Sequence, residues 1–351
     1  MEALLAEQHF DPMHNVAGEI IEPGKLKEVA PGIYWIRMAL PFQLDHVNLW
    51  ALEDDGGWTL IDTGLKNDQT LAAWEALFAT SLRERPIRRI IVTHYHPDHI
   101  GLAGWLTQRL NAEMWMTEAE WETATLLYNC SSHDYTDKSM DFYRASGFDN
   151  KHMDLVKKRQ NPYTQRVSPI PKSFCKIAEG DLIYINGVEW RVIIGKGHSP
   201  ELICLYSEET RVLISGDQIL PKITPNVSLW PMVPEANPLE NFLLSIKKFQ
   251  NLDPCTLVLP SHNWPFRGLH ARLIELIKHH DQRIRDVAIA CSQPKDATMI
   301  LKHLFHRELD THQFFFAIGE SLAHLRYLVK MGKMTMEAGP DGIENYKTIK
   351  L

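Results

Sequence analysis

The sequence predicts an α/β fold in which two sheets pack together with helices on the outside, followed by a smaller helical unit. Strand-like runs cluster in each half of residues 30–265, and amphipathic helical segments follow each cluster. After about residue 268 the pattern becomes helical. At 351 residues the chain is long enough for a full core and for two domains.

Short apolar runs rich in β-branched and aromatic residues predict the strands of the first half, at 33–38, 47–52, 58–61, 89–92 and 114–116. One helix is predicted over 69–80, and another from His99 through Leu110. Thr117 and Glu120 have the S/T-x-x-E spacing of a capping box, which predicts the start of a further helix.

Residues 122–175 interrupt this alternation of strands and helices, and we interpret them as a mostly helical insertion followed by a loop. They are polar and carry tyrosines at 128, 135, 143 and 163. We expect the insertion either to form a lid whose tyrosines line a substrate cleft or to make a dimer contact. Beyond the insertion, strands are predicted at 182–185, 189–194, 203–206, 212–215 and 256–259, and a helix is predicted at 238–250.

From residue 268 onward the pattern predicts helices at 268–291, 296–305 and 311–331, then a hairpin at 334–349. Three helices and a hairpin make a small winged-helix-like unit. Ten basic and nine acidic residues lie from residue 281 onward. This balance is too even for a surface that follows nucleic-acid phosphates. We therefore expect the unit to pack on the rest of the chain or on a partner subunit of a homodimer.

Composition and charge are those of an ordinary globular protein. Hydrophobic residues make up 44% and charged residues 23%, and the formal net charge of −7 disfavours general nucleic-acid binding. The five cysteines include no C-x-x-C pair, which favours a reducing compartment. Acidic residues stand near the N-terminus where a signal peptide would carry basic ones, and no apolar run reaches about 18 residues. We expect a cytoplasmic soluble protein without a membrane partner.

Three imidazoles and a carboxylate fall within six residues directly after the strand predicted at 89–92: His94, His96, Asp98 and His99. In an extended segment alternate side chains point the same way, so His94 and His96 are expected to reach one metal ion together. Asp98 and His99 stand where the chain turns into a helix and are free to face a second ion. Imidazole nitrogen and carboxylate oxygen suit zinc, iron or manganese in a hydrolytic site.

Three later residues each follow a predicted strand, where a site can be assembled: His198, Asp217 and His262. Each of them alone would more often be an ordinary polar residue. Together with the first run they supply five histidines and two aspartates. That set is sufficient for two metal ions with a bridging carboxylate.

These residues resemble the signature of the metallo-β-lactamase-fold hydrolases over about residues 30–265. The H-x-H-x-D-H run is present in full, the later ligands occur in the family's order, and its Asp-Thr-Gly turn matches Asp62-Thr63-Gly64. The resemblance implies a four-layer αββα sandwich of two mixed sheets. The C-terminal helices and hairpin look like the appendage of a subgroup related to glyoxalase II and β-lactamase-like protein 2. The implied domains are a catalytic domain at 1–265, with the insertion at 122–175, and a winged-helix-like domain at 266–351.

The resemblance also gives each candidate residue a role. It implies a first metal site of His94, His96 and His198, and a second site of Asp98, His99 and His262, with Asp217 bridging them. Asp62 is expected to orient ligands, as carboxylates beside metal sites commonly do. The alternative for Asp62 is a helix or turn cap.

The implied cofactor is two divalent metal ions, with zinc first and iron or manganese as alternatives. With Asp98, Asp217 and a bridging hydroxide, two such ions leave a charge near +1, which suits an oxyanion. Both aspartates are therefore expected to be catalytic. The expected reaction is attack of the hydroxide on the carbonyl of a small-molecule thioester or related acyl ester, with no side-chain nucleophile.

Other functions remain open on the same scaffold. A lactonase would use the same centre, and so would a metal-dependent nuclease, which the acidic net charge disfavours. An iron-dependent sulfur dioxygenase is a further alternative, whereas di-iron redox relatives usually carry a carboxylate where His96 stands. A DNA-binding protein would use the winged-helix-like unit.

The turn Ser261-His262-Asn263 departs from the Gly-His-Gly-like turn of many relatives and puts the leaving-group side of the pocket in question. Lys196 and Lys222 lie beside ligands and are expected either to meet an anionic substrate or to be solvated.

Overall fold

The computed structural model describes residues 13–16, 18–42, 44–305 and 308–349. Within these residues the strands form two seven-stranded sheets and one two-stranded sheet. Contacts between residues divide the chain into two compact units. The first unit comprises Met1–Asn129, Tyr163–Pro225 and Ile246–Ile274, and the second comprises Cys130–Pro162, Asn226–Ser245 and Glu275–Leu351.

The strands are mostly short, and most of them fall in the first unit. They are β1 (His14–Asn15), β2 (Leu26–Ala30), β3 (Ile33–Ala39), β4 (His46–Asp54), β5 (Gly57–Ile61), β6 (Ile87–Ile91), β7 (Glu113–Met116), β8 (Cys175–Lys176), β9 (Leu182–Ile185), β10 (Val188–Gly195), β11 (Leu202–Ser207), β12 (Val212–Gly216), β13 (Leu257–Pro260), β14 (Phe266–Arg267), β15 (Met334–Ala338) and β16 (Glu344–Thr348).

The helices lie between the strands and in the C-terminal third of the chain. They are α1 (Asp68–Ala79), α2 (Pro97–Ile100), α3 (Ala103–Leu110), α4 (Glu118–Asn129), α5 (Ser132–Ala145), α6 (Asn150–Arg159), α7 (Tyr163–Arg166), α8 (Pro238–Ser245), a 3-10 helix (Ile246–Asn251), α9 (Leu269–Ala290), α10 (Ala297–Leu304) and α11 (Thr311–Lys330).

Both large sheets are mixed. One has the strand order β2-β3-β4-β5-β6-β7-β8, with antiparallel pairs up to β5 and parallel pairs from β5 to β8. The other has the order β1-β14-β13-β12-β11-β10-β9, in which only β12 and β13 run parallel. Parallel neighbours end at the same edge of a sheet, so β5 with β6, and β12 with β13, each bring two chain segments together.

The faces of the two sheets share one buried apolar cluster. Trp35 and Trp50 stack with ring centroids 6.5 Å apart, and Trp190 and Leu259 of the other sheet belong to the same cluster. A second cluster joins the first sheet to the helices that cover it, through residues such as Trp74 of α1. Each fully buried large side chain stabilises this packing by about 1.5–3 kcal/mol. The predicted fold class, two packed mixed sheets with helices, is confirmed.

The helix predicted from His99 through Leu110 is wrong in its continuity, because α2 and α3 are separate helices. The Thr63 hydroxyl donates to the carbonyl of His99 (2.6 Å) and accepts from the backbone N–H of Leu102 (3.1 Å), which takes these two groups out of a continuous helical ladder. Gly101 lies at this break, where a Cβ would stand 2.4 Å from the carbonyl oxygen of Gly64. The Asp62-Thr63-Gly64 turn therefore interrupts the helix.

The second unit has its own core, formed by helices and the hairpin of β15 and β16. Tyr143 from α5, Ile318 from α11 and Tyr346 from β16 are buried in one cluster. Asp310 begins α11 with a capping box that includes Gln313. The C-terminal part has the predicted helices and small sheet. The description of this part as winged-helix-like, and the domain boundary at 265/266, stay predictions.

Several strands were not predicted. The strands β1 and β14 are only two residues long, and β2 carries the mixed sequence Leu-Lys-Glu-Val-Ala at the edge of its sheet. All five cysteines are free. Within the described ranges, no helix combines the length and the apolar character that a membrane span requires.

Candidate metal centre

The run from His94 to His99 leaves the end of β6 and turns into the short helix α2. His96 precedes Pro97 in extended conformation, as residues before proline prefer, and Pro97 begins the helix. The extended stretch directs His94 and His96 toward a common point. Asp98 and His99 stand on the first turn of α2.

Three imidazole nitrogens converge at that point. His94 Nε2 lies 3.0 Å from His96 Nδ1, His96 Nδ1 lies 2.9 Å from His198 Nε2, and His198 Nε2 lies 3.2 Å from His94 Nε2. Nitrogens bound to one zinc ion at about 2.0–2.1 Å in tetrahedral geometry are separated by about 3.3 Å. The triangle therefore has close to the dimensions of three ligands of a single ion.

A second group contains Asp98, His99 and His262, whose ligand atoms lie within 4.8 Å of one another. His99 Nε2 is 3.6 Å and His262 Nε2 is 3.5 Å from Asp98 Oδ2. Asp217 lies between the two groups. Its Oδ2 is 3.4 Å from His198 Nε2, and its Oδ1 is 3.4 Å from His262 Nε2. The structure thus brings together all seven residues that the sequence singled out as ligands.

Hydrogen bonds fix the orientation of three of the histidine rings. The Nδ1–H of His99 donates to Asp62 Oδ2 (2.8 Å), and the Nδ1–H of His262 donates to the carbonyl of His46 (2.9 Å). His94 Nδ1 lies 3.0 Å from the Thr93 hydroxyl oxygen. Each bond occupies Nδ1 and leaves the Nε2 lone pair directed into the cluster.

Asp62 occupies the position at which it was expected to orient ligands. It is buried, has φ +65°, and follows β5. Besides His99 it accepts hydrogen bonds from the backbone N–H of Thr93 (2.7 Å) and from the Thr93 hydroxyl. Asp62 thereby joins the end of β5 to the beginning of the ligand run.

Burial and charge shift the pKa values of the cluster in opposite directions. Burial, reinforced by neighbouring imidazoles, holds the pKa of His94 and of His96 well below the usual value. Burial also disfavours the charged form of His99, but Asp98, Asp62 and Asp217 outweigh it and hold its pKa well above the usual value. Asp217 is buried as well, yet His262 and His99 lower its pKa strongly. The neutral form is thus favoured for His94 and His96, whereas nearby carboxylates favour the charged form of His99.

The donor set fits a divalent metal. His99 Nε2 and Asp217 Oδ1 are buried without a hydrogen-bond partner in the described part of the chain, and both face the cluster. Buried polar atoms without partners are costly, and a bound cation would satisfy both. Neutral imidazole and carboxylate are the ligand types that zinc, iron and manganese accept.

The turn that carries His262 is held by two residues of β4, His46 and Asn48. Asn263 has φ +67°, a conformation in which glycine or asparagine is favoured. Its backbone N–H donates to His46 Nε2 (3.1 Å), and the side-chain amide of the buried Asn48 donates to the carbonyls of Pro260 (2.9 Å) and Asn263 (3.1 Å). Asparagine thus takes the place of the expected glycine. An asparagine within an otherwise apolar strand was the available sequence signal.

Glu120 was misinterpreted from the sequence. As a capping-box residue it would accept from the backbone N–H of Thr117, but both of its carboxylate oxygens are engaged elsewhere. Glu120 Oε2 accepts from the N–H of Tyr95 (2.9 Å), and Oε1 accepts from the Ser199 hydroxyl (2.5 Å) and the N–H of Glu201 (2.7 Å). Burial raises the pKa of Glu120 to about 7, against the effect of these donors. The helix start was predicted correctly, but the reason for it was wrong.

Two lysines beside the ligands differ in their surroundings. Lys196 is half-buried and lies 3.1 Å from Glu201 Oε1, whereas Lys222 is exposed. Of the tyrosines in the insertion, Tyr163 donates its hydroxyl to the carbonyl of Tyr95 (2.7 Å), and Tyr143 belongs to the core of the second unit.

Two packed mixed sheets with a cluster of histidines and aspartates at their strand ends define a metal-dependent hydrolase of the metallo-β-lactamase type. A sequence model described as the metallo-beta-lactamase superfamily matches residues 43–262, and one described as the metallo-beta-lactamase-like C-terminal domain matches residues 284–349. The chain belongs to the metallo-beta-lactamase superfamily. Its fold implies divalent metal ions, and the cluster to hold them is present.

Three similar proteins illustrate the membership. The crystal structure of a beta-lactamase domain protein from Burkholderia ambifaria is 41% identical, covers 95% of this chain and 96% of its own, and superposes with a TM-score of 0.88. The probable metallo-hydrolase YqjP of Bacillus subtilis is 25% identical over 84% of this chain and 91% of its own length. The atrochrysone carboxyl ACP thioesterase of Aspergillus fumigatus is 23% identical over 71% of this chain and 60% of its own length.

Proposed function

We propose that this protein hydrolyses the thioester or related acyl-ester bond of a small-molecule substrate, with two zinc ions in its metal centre. The observation that carries the proposal is the position of Asp217 between two groups of ligands, 3.4 Å from a nitrogen of His198 and 3.4 Å from a nitrogen of His262. The similarity to a thioesterase favours a thioester among the acyl esters.

The seven clustered residues would hold the two ions: His94, His96 and His198 the first, Asp98, His99 and His262 the second, with Asp217 reaching both. When bound, such ions polarise a carbonyl oxygen and lower the pKa of water from 15.7 to about 7. The chain itself positions these groups before substrate arrives. Asp62, Thr93 and the carbonyl of His46 fix the rings, so little reorganisation is needed during the reaction.

The hydroxyl groups of Ser199 and Thr93 beside the cluster are buried, which favours water as the nucleophile. The Ser199 hydroxyl donates to Glu120, and the Thr93 hydroxyl donates to Asp62. Water would therefore attack the acyl carbon, with a C–O bond forming as the C–S or C–O bond to the leaving group breaks. The leaving thiolate or alkoxide takes up a proton, and the products are a carboxylic acid and a thiol or alcohol.

Asp98 is the ligand best placed to exchange that proton. Its side chain is 21% exposed, against 9% for Asp217 and 2% for Asp62. A carboxylate that reaches solvent can accept a proton from attacking water and pass it on. We therefore assign the proton transfer to Asp98 and the joining of the two ligand groups to Asp217.

The test combines metal analysis with a substrate panel. The purified protein is assayed before and after chelation against an acyl-coenzyme A, an acyl-glutathione, an acyl-pantetheine, a lactone, a β-lactam, RNA and a glutathione persulfide. We expect thioester turnover that disappears on metal removal and returns with Zn²⁺. His96→Ala should abolish both metal loading and turnover, whereas Glu118→Gln, an exposed residue paired with Lys176, should match the wild type.

Three results would contradict the proposal: full activity after metal removal, turnover of RNA alone, or oxygen consumption with persulfide in the absence of any hydrolysis. Turnover of the lactone alone would keep the metal centre and replace the thioester. A small-molecule acyl substrate, the lack of nucleic-acid and membrane partners, a homodimer and a cytoplasmic location stay predictions.

A further inference from the structure

Glu120 is a buried carboxylate that connects two separate ligand-bearing segments. It lies in the first turn of α4 and its side chain has no exposed surface. The three groups that donate to it belong to Tyr95, Ser199 and Glu201. Oε1 of Glu120 thus accepts hydrogen bonds from the loop after β10, and Oε2 accepts one from the His94–His99 run after β6.

Two of these three contacts, those with Tyr95 and Ser199, are next to a ligand of the three-histidine group, and Glu201 lies three residues after His198. Tyr95 lies between His94 and His96, so its N–H belongs to the peptide that joins His94 to Tyr95. Ser199 directly follows His198. The two segments come from distant parts of the chain, and the three nitrogens must meet within 2.9–3.2 Å. A single side chain that bonds both segments sets their separation.

The carbonyl of Tyr95, on the opposite side of the same backbone, is also hydrogen-bonded. The Tyr163 hydroxyl donates to the carbonyl of Tyr95 (2.7 Å), and the Tyr163 side chain is buried. The N–H and the carbonyl of Tyr95 are therefore both bonded to buried side chains. This leaves the backbone between His94 and His96 little freedom to rotate, and the rings that it carries are oriented accordingly.

The chemistry of these bonds requires a carboxylate. All three groups that face Glu120 are donors, and a carboxylate accepts at both oxygens. A glutamine in the same place would present its NH₂ group either to the N–H of Tyr95 or to the N–H of Glu201. One donor would then face another in a buried site, and a bond would be lost. Glutamine therefore has nearly the same shape as glutamate, but it places a hydrogen-bond donor where an acceptor is required.

We infer that Glu120 is a positioning residue for the three-histidine metal site, holding His94 and His96 at the correct distance from His198, with Tyr163 assisting from the other side. The inference rests on the metal centre proposed above. Residues that orient metal ligands commonly change metal affinity by about 10- to 100-fold when substituted. We expect a loss of that size for Glu120→Gln, and a smaller loss for Tyr163→Phe, which removes one bond and keeps the ring.

The test is a titration of the metal-free, full-length protein with Co²⁺, followed by its visible absorption spectrum. Wild type, Glu120→Gln, Tyr163→Phe and Glu118→Gln are compared, with folding checked by far-ultraviolet circular dichroism. In Glu120→Gln we expect at least one Co²⁺ association constant to fall about 10- to 100-fold, with a changed spectrum. Glu118→Gln, two residues away on the same helix and exposed, should bind Co²⁺ like the wild type.

The possible results distinguish a failure of the role inferred for Glu120 from a failure of the proposed metal centre. A folded Glu120→Gln protein with wild-type Co²⁺ affinity and spectrum overturns the role of Glu120 alone, since the metal centre would be intact. Failure of the wild type to bind Co²⁺ overturns both. If Glu120→Gln does not fold, Tyr163→Phe decides: reduced affinity supports the positioning role, and unchanged affinity and spectrum contradict it.

Discussion

In the first unit five histidines cluster with two aspartates, whereas in the second unit His280 and His324 are buried beside each other. His280 Nδ1 lies 3.4 Å from His324 Nε2, and the Nδ1–H of His324 donates to the carbonyl of Glu320 (2.8 Å). The ring of Phe242 meets His280 edge-on, with centroids 5.2 Å apart. These two imidazoles form a chain of donors and acceptors, so their nitrogens do not converge on one point.

The metal centre differs from the second cluster in two of its histidines, although its His94 and His96 share the lowered pKa of the second cluster. In the second unit, burial and the neighbouring His324 lower the pKa of His280 to about 2, and burial lowers that of His324 to about 4. In the metal centre, aspartates raise the pKa of His99 and His262 despite equally deep burial. Carboxylates stabilise the protonated form of these two histidines, whereas His280 and His324 exclude a proton. Burial alone therefore does not distinguish the two clusters; the carboxylates near His99 and His262 do.

The largest expected difference between the clusters concerns Asp217. Asp217→Ala removes the carboxylate shared by both ligand groups, and we expect metal loading to be lost and kcat/KM to fall by about 1,000-fold or more, since metal catalysis supplies several kcal/mol. His280→Phe should leave both quantities within about twofold. Metal content and steady-state kinetics of the two variants test this. Equal losses in both would mean that the two clusters are not functionally different.

The orientation of His99 gives a second test. Asp62→Asn keeps the shape of the side chain, but places an NH₂ group where the Nδ1–H of His99 now donates, which favours the tautomer that carries its proton on Nε2. We expect metal affinity to fall about 10- to 100-fold. Asp310→Asn is a matched control, because asparagine caps a helix about as well as aspartate. Competition with a chelator measures both, and undiminished affinity in Asp62→Asn would contradict the role of Asp62.

The pH dependence of stability should distinguish the second cluster. The unfolded chain protonates His280 near pH 6.5, but the folded chain does so only near pH 2, so its contribution to stability is complete above pH 6.5 and is lost as the pH falls. Between pH 7 and pH 4.5 we expect the free energy of unfolding to fall by about 2–3 kcal/mol less in His280→Phe than in the wild type. Urea unfolding of the metal-free proteins measures this. Parallel pH profiles would show that His280 does not titrate as described.

The smallest effect is expected at Asn263, whose φ of +67° belongs to the turn after β13. Alanine tolerates this conformation poorly, so Asn263→Ala should lower the free energy of unfolding by about 1 kcal/mol. Asn263→Gly should stay within about 0.5 kcal/mol of the wild type, since glycine adopts positive φ freely. Thermal unfolding of both variants checks the order, and a more stable alanine variant would reverse it.

Most elements of the fold could be predicted because their signals are local. The strand predicted at 182–185 coincides with β9, and the helix predicted at 69–80 differs from α1 by one residue at each end. The helix from His99 through Leu110 was wrong because Thr63, distant in sequence, interrupts it. A local helical pattern contains no information about a hydroxyl that arrives from another loop.

The candidate ligands were predictable for a different reason. Their residue types are unusual at strand ends, so their positions in the sequence were sufficient to select them. Of the residues that hold the ligands, Asp62 was selected, but Glu120 and Asn48 were not, because they are ordinary residue types with plausible local roles. Glu120 even matches a capping pattern, and only its three donors reveal another role.

The sequence by itself determined the two-sheet architecture and the set of candidate metal ligands, since periodicity and residue type are local properties. Only the tertiary structure decided that Asp217 lies between two ligand groups, which rings are oriented by Asp62 and by the carbonyl of His46, and that Glu120 joins two distant segments. Those facts depend on distances between residues far apart in the chain, which packing of the two sheets sets.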